Sequence, residues 1–181
     1  MSYIKGWFKT VVLLSMVLII KPLSSYSQDI KSLREIGNYV QIFYNTLDDY
    51  QNGVTLNGYT RVKIKFRVDG SSGWELRVFA QTSTIEHEDG TNSLPLTALE
   101  LTPAILSTTD PTASVVTPFN PPQGPYNPSD ATQVIASGTG GTIGTNPPIE
   151  AEFSISYKTG NMVNEIPGLY FVTLQFLLVE Y

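Results

Sequence analysis

The sequence predicts an all-β protein, an antiparallel immunoglobulin-like β-sandwich of about seven strands. Two long segments, 61 to 68 and 168 to 179, carry apolar residues at alternate positions, which is the period of two that a strand requires. The turns between the apolar segments are rich in Gly, Pro, Asn and Asp. Parallel strands need crossover connections, which are usually helices. The spacing of the apolar residues predicts no such helices, so the strands are expected to pair antiparallel.

The first 27 residues are typical of an export signal peptide. Lys5 and Lys9 precede an apolar run from 11 to 20, and small residues favour cleavage between Ser27 and Gln28. At about ten residues, this run is half of the ~20 that a membrane-spanning helix needs. We therefore expect export to the periplasm, the cell surface or the medium, with no integral membrane span after cleavage.

The expected product, residues 28 to 181, is long enough to form one domain with its own core. The chain has no cysteine, so the core must supply its stability without disulfides. Loss of Lys5, Lys9 and Lys21 with the signal peptide leaves 8 basic and 16 acidic residues, a net charge of −8. This balance disfavours nucleic acid as a partner.

The product begins with a short lead-in of loosely helical apolar spacing. The first strand is predicted at 39 to 44, where β-branched and aromatic residues are concentrated. Asp, Asn and Gly residues between 48 and 53 then predict a turn.

The clearest pair of strands comes next. Apolar Val62, Ile64, Phe66 and Val68 alternate with basic Arg61, Lys63, Lys65 and Arg67. After a turn at 69 to 73, a second strand at 74 to 80 places Trp74 and Leu76 on one face. We expect the two strands to form a β-hairpin with both apolar faces in the core, where Trp74 is an anchor.

The remaining strands are unevenly spaced. One is predicted from 94 to 101, and two more from 149 to 157 and from 169 to 179. Residues 102 to 148 hold most of the prolines and several glycines, which predicts long surface loops with one short strand at 132 to 136. This stretch is an insertion within the domain, because the residues after it are too few to fold alone.

The sequence offers little for catalysis. His87 is the one histidine, and no G-x-S-x-G motif supplies a nucleophile beside it. We therefore expect no enzymatic activity, no catalytic residue, and no bound cofactor or metal. The acidic residues around His87, from Glu86 to Asp89, are expected to form a solvated turn, and calcium binding by this turn is left open.

A cationic stripe is the most specific surface feature that the sequence predicts. It consists of Arg61, Lys63, Lys65 and Arg67 on one strand face, extended by Arg77 on the expected partner strand. Such a stripe fits an anionic glycan or an acidic face of a neighbouring subunit. The alternative is a solvated outer face, or an edge that its charges protect from strand addition.

The last strand has the longest alternating pattern. After Gly168, its apolar face consists of Tyr170, Val172, Leu174, Phe176 and Leu178, and the segment closes on Tyr181. With Tyr157-Lys-Thr-Gly160 and Pro167-Gly-Leu-Tyr170, residues 157 to 181 resemble the C-terminal part of spore-coat-U-like and related pilin domains of bacterial chaperone–usher systems.

The resemblance implies an incomplete immunoglobulin-like fold whose missing strand comes first from a periplasmic chaperone and then from another subunit. Residues Gly168 to Tyr181 would form the assembly strand. We therefore expect an exported, non-enzymatic structural or adhesive subunit of the bacterial cell surface, such as a fimbrial subunit. The alternative is a stand-alone secreted β-sandwich module that binds carbohydrate or protein.

Overall fold

The computed structural model describes residues 29–116, 126–141 and 147–181. The predicted signal peptide and part of the predicted insertion lie outside these residues. In chain order the elements are β1 (Ile30–Ile36), β2 (Tyr39–Tyr44), helix α1 (Leu47–Asn52), β3 (Thr55–Arg67), β4 (Trp74–Ala80), β5 (Thr84–His87), β6 (Ser93–Pro95), a 3-10 helix (Leu96–Ala98), β7 (Leu99–Thr108), β8 (Ser114–Val115), β9 (Gln133–Gly138), β10 (Ile149–Thr159) and β11 (Gly168–Glu180).

These strands form an antiparallel β-sandwich, which confirms the predicted fold class. Sheet 1 has the order β1-β3-β10-β7. Sheet 2 has the order β6-β5-β11-β4-β9-β8, and β2 pairs with the first half of β11 on the side away from β5. The described residues contain more strands than the seven predicted, because β1 extends sheet 1 and the short strands β5, β6 and β8 extend sheet 2.

The N-terminal segment crosses from one sheet to the other. β1 pairs with β3 in sheet 1, whereas β2 pairs with β11 in sheet 2. Between them, Gly37 adopts a φ of +79° and its carbonyl accepts a hydrogen bond from the Thr60 hydroxyl. The predicted lead-in is therefore wrong: backbone pairing with β3 makes it a strand despite its loosely helical spacing.

The predicted turn between 48 and 53 is largely the helix α1. The Thr46 hydroxyl accepts from the Asp49 N–H, and the Asp49 carboxylate accepts from the Thr46 N–H. This reciprocal capping box satisfies backbone donors at the helix start. The Asp and Asn residues that favour turns here supply the helix cap instead.

β3 and β4 do not form the predicted hairpin. β3 lies between β1 and β10 in sheet 1, and β4 lies between β11 and β9 in sheet 2. Their apolar faces both lie in the core, but from opposite sheets. The alternation of apolar and polar residues determines which face of a strand is buried. It does not determine which other strand pairs with it.

The predicted insertion contains more regular structure than expected. β7 continues through Pro103 to Thr108 and pairs with β10. Proline is tolerated there because β7 is an edge strand of sheet 1. The short strand predicted at 132 to 136 is confirmed as β9.

The core anchor Trp74 is fully buried and joins the two sheets. Its ring meets that of Phe153 edge to face, at 6.1 Å between centroids. Its indole N–H donates to the carboxylate of buried Asp110 over 2.9 Å. The same carboxylate accepts from the Gly140 N–H and from the N–H and hydroxyl of Thr112. Burial alone raises the pKa of Asp110, and these donors outweigh it, so the net pKa is lowered.

We predict that Asp110→Asn lowers the free energy of unfolding by about 3 kcal/mol at neutral pH, because an amide offers one acceptor where several donors converge. The lowered pKa means that the charged form stabilises the fold above the ordinary value of 3.8, and that this contribution is lost as the pH falls further. Urea unfolding of both proteins from pH 7 to pH 3 measures the difference. A difference that stays constant with pH would contradict the charged role.

A second prediction concerns the core face of β11. Phe176 is 6% exposed, and Phe176→Ala should cost about 3 to 5 kcal/mol through the cavity it leaves. Its neighbour Gln175 lies on the outer face, so Gln175→Ala should cost less than about 0.5 kcal/mol. Chemical denaturation of the two variants checks the contrast, and equal costs would contradict the assigned faces.

Candidate functional site

The cationic stripe lies on the outer face of sheet 1. Its four members on β3 alternate with buried Val62, Ile64 and Phe66. On the neighbouring strand β10, Glu152 contacts both Arg61 and Lys63, at 3.2 and 3.1 Å, and Glu150 contacts Lys65 at 2.9 Å. Lys63 and Arg61 accordingly hold the pKa of Glu152 below its usual value. The stripe is thus partly neutralised within the protein.

Arg77 does not extend the stripe. It lies on the outer face of β4, in sheet 2, on the opposite side of the sandwich from Lys63. Its partner is Glu75 on the same strand, at 2.6 Å. The prediction is wrong because it depended on β3 and β4 lying side by side.

The predicted assembly strand is β11, and it is an internal strand along its first half. There β2 pairs on one edge and β5 on the other, while β4 pairs with the second half. Its core-facing residues are buried from Tyr170 to Phe176, and Leu178 is half-buried. Tyr181 exchanges backbone hydrogen bonds with Gly73 and is half-exposed.

Gly168 opens β11 where the backbone passes close to His87. Its φ is +148°, and a Cβ at this position would collide with the imidazole. The ring packs on Tyr170 at 4.7 Å between centroids. The Gly-x-Tyr motif of the sequence therefore has a packing role here.

His87 is 4% exposed rather than part of a solvated turn. Its Nε2 lies 3.3 Å from the Pro167 carbonyl, and Asp89 beside Nδ1 raises the pKa of the imidazole. The Asp89 carboxylate accepts from the N–H groups of Asn92 and Thr91, which lower its pKa. Within residues 29–116, 126–141 and 147–181, no group of three or more carboxylate or histidine ligands could hold a metal ion.

Sequence reasoning missed the outer face of sheet 2. Apolar side chains accumulate there on three adjacent strands. We call this set the apolar face: Tyr39 and Phe43 of β2, Phe79 of β4, and Leu169, Phe171, Leu177 and Val179 of β11. Phe43 is 56% exposed, and Tyr39 and Leu177 are each 41% exposed.

The strands β2 and β11 carry no charged residue from 39 to 44 or from 168 to 179. Tyr39 and Phe171 touch, with ring centroids 5.6 Å apart. An outward sheet face is ordinarily polar, so a concentration of exposed apolar residues marks an interaction surface. The ion pair of Glu75 and Arg77 lies on the same face, opposite Val179 and Leu177, and borders the apolar residues there. The signal in the sequence is that residues 39 to 44 carry aromatic or aliphatic side chains on both alternating faces, with Gln41 as the one polar residue. A strand that faces solvent on one side does not need apolar residues on that side.

Comparison with known proteins gives no match, either to a protein-family model or to a curated protein. The pilin-type resemblance therefore stays a prediction. None of the described residues lies in a helix with the length and apolar character that a membrane span requires.

We predict that, if the stripe binds an anionic glycan, the double variant Lys63→Gln/Lys65→Gln weakens heparin binding by roughly tenfold at low salt, since each exposed charge contributes up to about 1 kcal/mol. The opposite variant, Glu150→Gln/Glu152→Gln, should strengthen it, because it removes the carboxylates that contact the stripe. Isothermal titration at two salt concentrations measures both. Unchanged binding in both variants would leave the stripe a solvated face.

Proposed function

We propose that this protein is an exported, non-enzymatic subunit of the bacterial cell surface, structural or adhesive, which assembles with other protein subunits. The observation that carries the proposal is the apolar face of sheet 2. Seven apolar side chains on adjacent strands are partly exposed there, in a chain whose formal net charge is −5. Burial of such a face against another subunit is favourable in proportion to its apolar area.

The environment of His87 supports a non-enzymatic role. The one histidine of the chain is buried against Tyr170, and Asp89, which contacts it, is held by hydrogen bonds of its own turn. A general base must reach the proton of a substrate, and this imidazole faces the Pro167 carbonyl instead.

The second candidate is a stand-alone secreted module that binds an anionic glycan. One observation favours it: a shallow cleft beside the cationic stripe is lined by Lys63 and by the hydroxyl residues Ser107, Thr108 and Thr109. Glu150 and Glu152 line the same cleft and contact Lys65 and Lys63, so an anionic sugar would have to displace these carboxylates. Hydroxyl and ammonium donors are the groups that recognise sulfated or carboxylated sugars. The heparin titration above tests this alternative.

The two candidates predict different behaviour of the exported product of the full-length sequence. A subunit should self-associate as its concentration rises, and Phe171→Ser should weaken that association at least tenfold, because Phe171 lies within the apolar face. Thr173→Ser, on the same face of β11, is the matched control with little apolar loss. Sedimentation velocity over a wide concentration range measures both. A product that stays monomeric throughout would contradict the assembly function and favour the module.

A further inference from the structure

The edge of β2 is unlike the other sheet edges in the described residues. β1 carries charged Lys31, Arg34 and Glu35, and β7 contains Pro103. The outermost strands β6 and β8 have three and two residues. Charges, proline and short length are the usual devices that protect an edge from strand addition. β2 has six residues and none of these devices.

The backbone geometry shows which groups β2 presents. The Leu174 N–H donates to the Asn38 carbonyl, so Asn38 and every second residue after it face β11. The backbone groups of Tyr39, Gln41 and Phe43 therefore point to the opposite edge. In agreement, the Tyr39 carbonyl accepts from the Tyr59 hydroxyl rather than from β11.

The first five residues of β2, 39 to 43, are also symmetrical in side-chain type about Gln41. Tyr39 and Phe43 are aromatic, Val40 and Ile42 are β-branched, and Gln41 lies between them. If two copies paired β2 to β2 in antiparallel register, Gln41 would lie opposite Gln41 of the second copy. Each Tyr39 would then lie opposite a Phe43, and aromatic cross-strand pairs stabilise a sheet.

We propose that the edge of β2 away from β11, which pairs with no other strand in the described part of the chain, is a self-association site, at which two copies pair antiparallel about a two-fold axis through Gln41. Pairing of this kind offers about four backbone hydrogen bonds that do not use the Tyr39 carbonyl, which already accepts from the Tyr59 hydroxyl, and it joins the two copies of sheet 2 into one continuous sheet. It also unites the apolar faces of the two copies, because Tyr39 and Phe43 belong to both features. The inference rests on the proposed assembly function and names the partner as a second copy of this chain.

Charged substitutions of opposite sign at Gln41 test this register. Gln41→Glu and Gln41→Lys should each weaken self-association at least tenfold at low salt, because like charges would lie directly opposite each other. A one-to-one mixture of the two variants should restore a dimer that contains one of each. Gln41 is exposed, so both variants should melt at the wild-type temperature.

Thiol cross-linking supplies an independent measurement, because the chain has no cysteine of its own. Under mild oxidation Gln41→Cys should give mostly disulfide-linked dimer, since paired residues on adjacent strands lie about 5.5 Å apart at Cα. Gln51→Cys, exposed on α1, is the matched control and should stay largely monomeric.

The outcomes separate the two proposals. A wild-type protein that self-associates while the Gln41 variants associate equally well would overturn the β2 pairing and leave the assembly function standing. A wild-type protein that stays monomeric at all concentrations would overturn both. Binding of β2 to an unrelated extended peptide, without homodimer, would overturn the identity of the partner.

Discussion

The fold depends on β11, because one thirteen-residue strand organises most of sheet 2. Its first half is paired on both edges, by β2 and β5, and its second half is paired by β4. Its buried face extends from Tyr170 to Phe176 and contributes to the core along the sandwich. A strand held in this way cannot leave to complete another subunit without dissolving its own sheet. The assembly proposed above would therefore use other surfaces of the molecule.

Among the residues that the structure describes, no strand pairs with one edge of the second half of β11, and side chains of β1 cover that edge. Lys31 contacts Glu180 at 3.0 Å, and the half-buried carboxyl of Glu35 lies near the Phe176 N–H. Burial raises the pKa of Glu35, and it outweighs the hydrogen bonds from Phe176 and Asn38, which lower that pKa. Charged groups at this position disfavour an incoming strand. This stretch of edge is thus protected by charged groups, whereas the edge of β2 carries none.

Asp110 explains how a loop-rich segment is held to this sandwich. Its carboxylate binds Trp74 in the core and Gly140 beyond β9, and side chains on Gly138 or Gly140 would collide with it. A buried carboxylate without a cation is tolerated when several donors replace its hydration. In the sequence, Gly138 and Gly140 predict irregular structure. In the fold, they are also required because no side chain fits beside the Asp110 carboxylate.

The sequence predicted what depends on local pattern. The all-β class, the core role of Trp74, the buried face of β11 and the strand β9 follow from alternation, burial preference and turn composition. The pairing of β3 with β10 rather than β4 did not follow, because strand neighbours are set by contacts distant in the sequence. For the same reason Arg77 was assigned to the wrong face. The burial of His87 depends on its contact with Gly168, which is distant along the chain. The residues next to His87 in the sequence therefore do not predict this burial.

The apolar face and the β2 edge meet at Phe43, and their combination constrains how copies approach. The chain carries 16 acidic and 11 basic residues, so copies repel each other in most orientations. Residues 39 to 44 are free of charge, and approach along this edge avoids that repulsion. An uncharged edge strand favours aggregation when any strand can pair with it. Its symmetry about Gln41 restricts the favourable register to one, and two-fold pairing of that register consumes the free edge of both copies. Closed pairing of this kind gives a dimer rather than an open fibre. A longer assembly would therefore require a second surface. The part of the apolar face outside β2 is available for that contact.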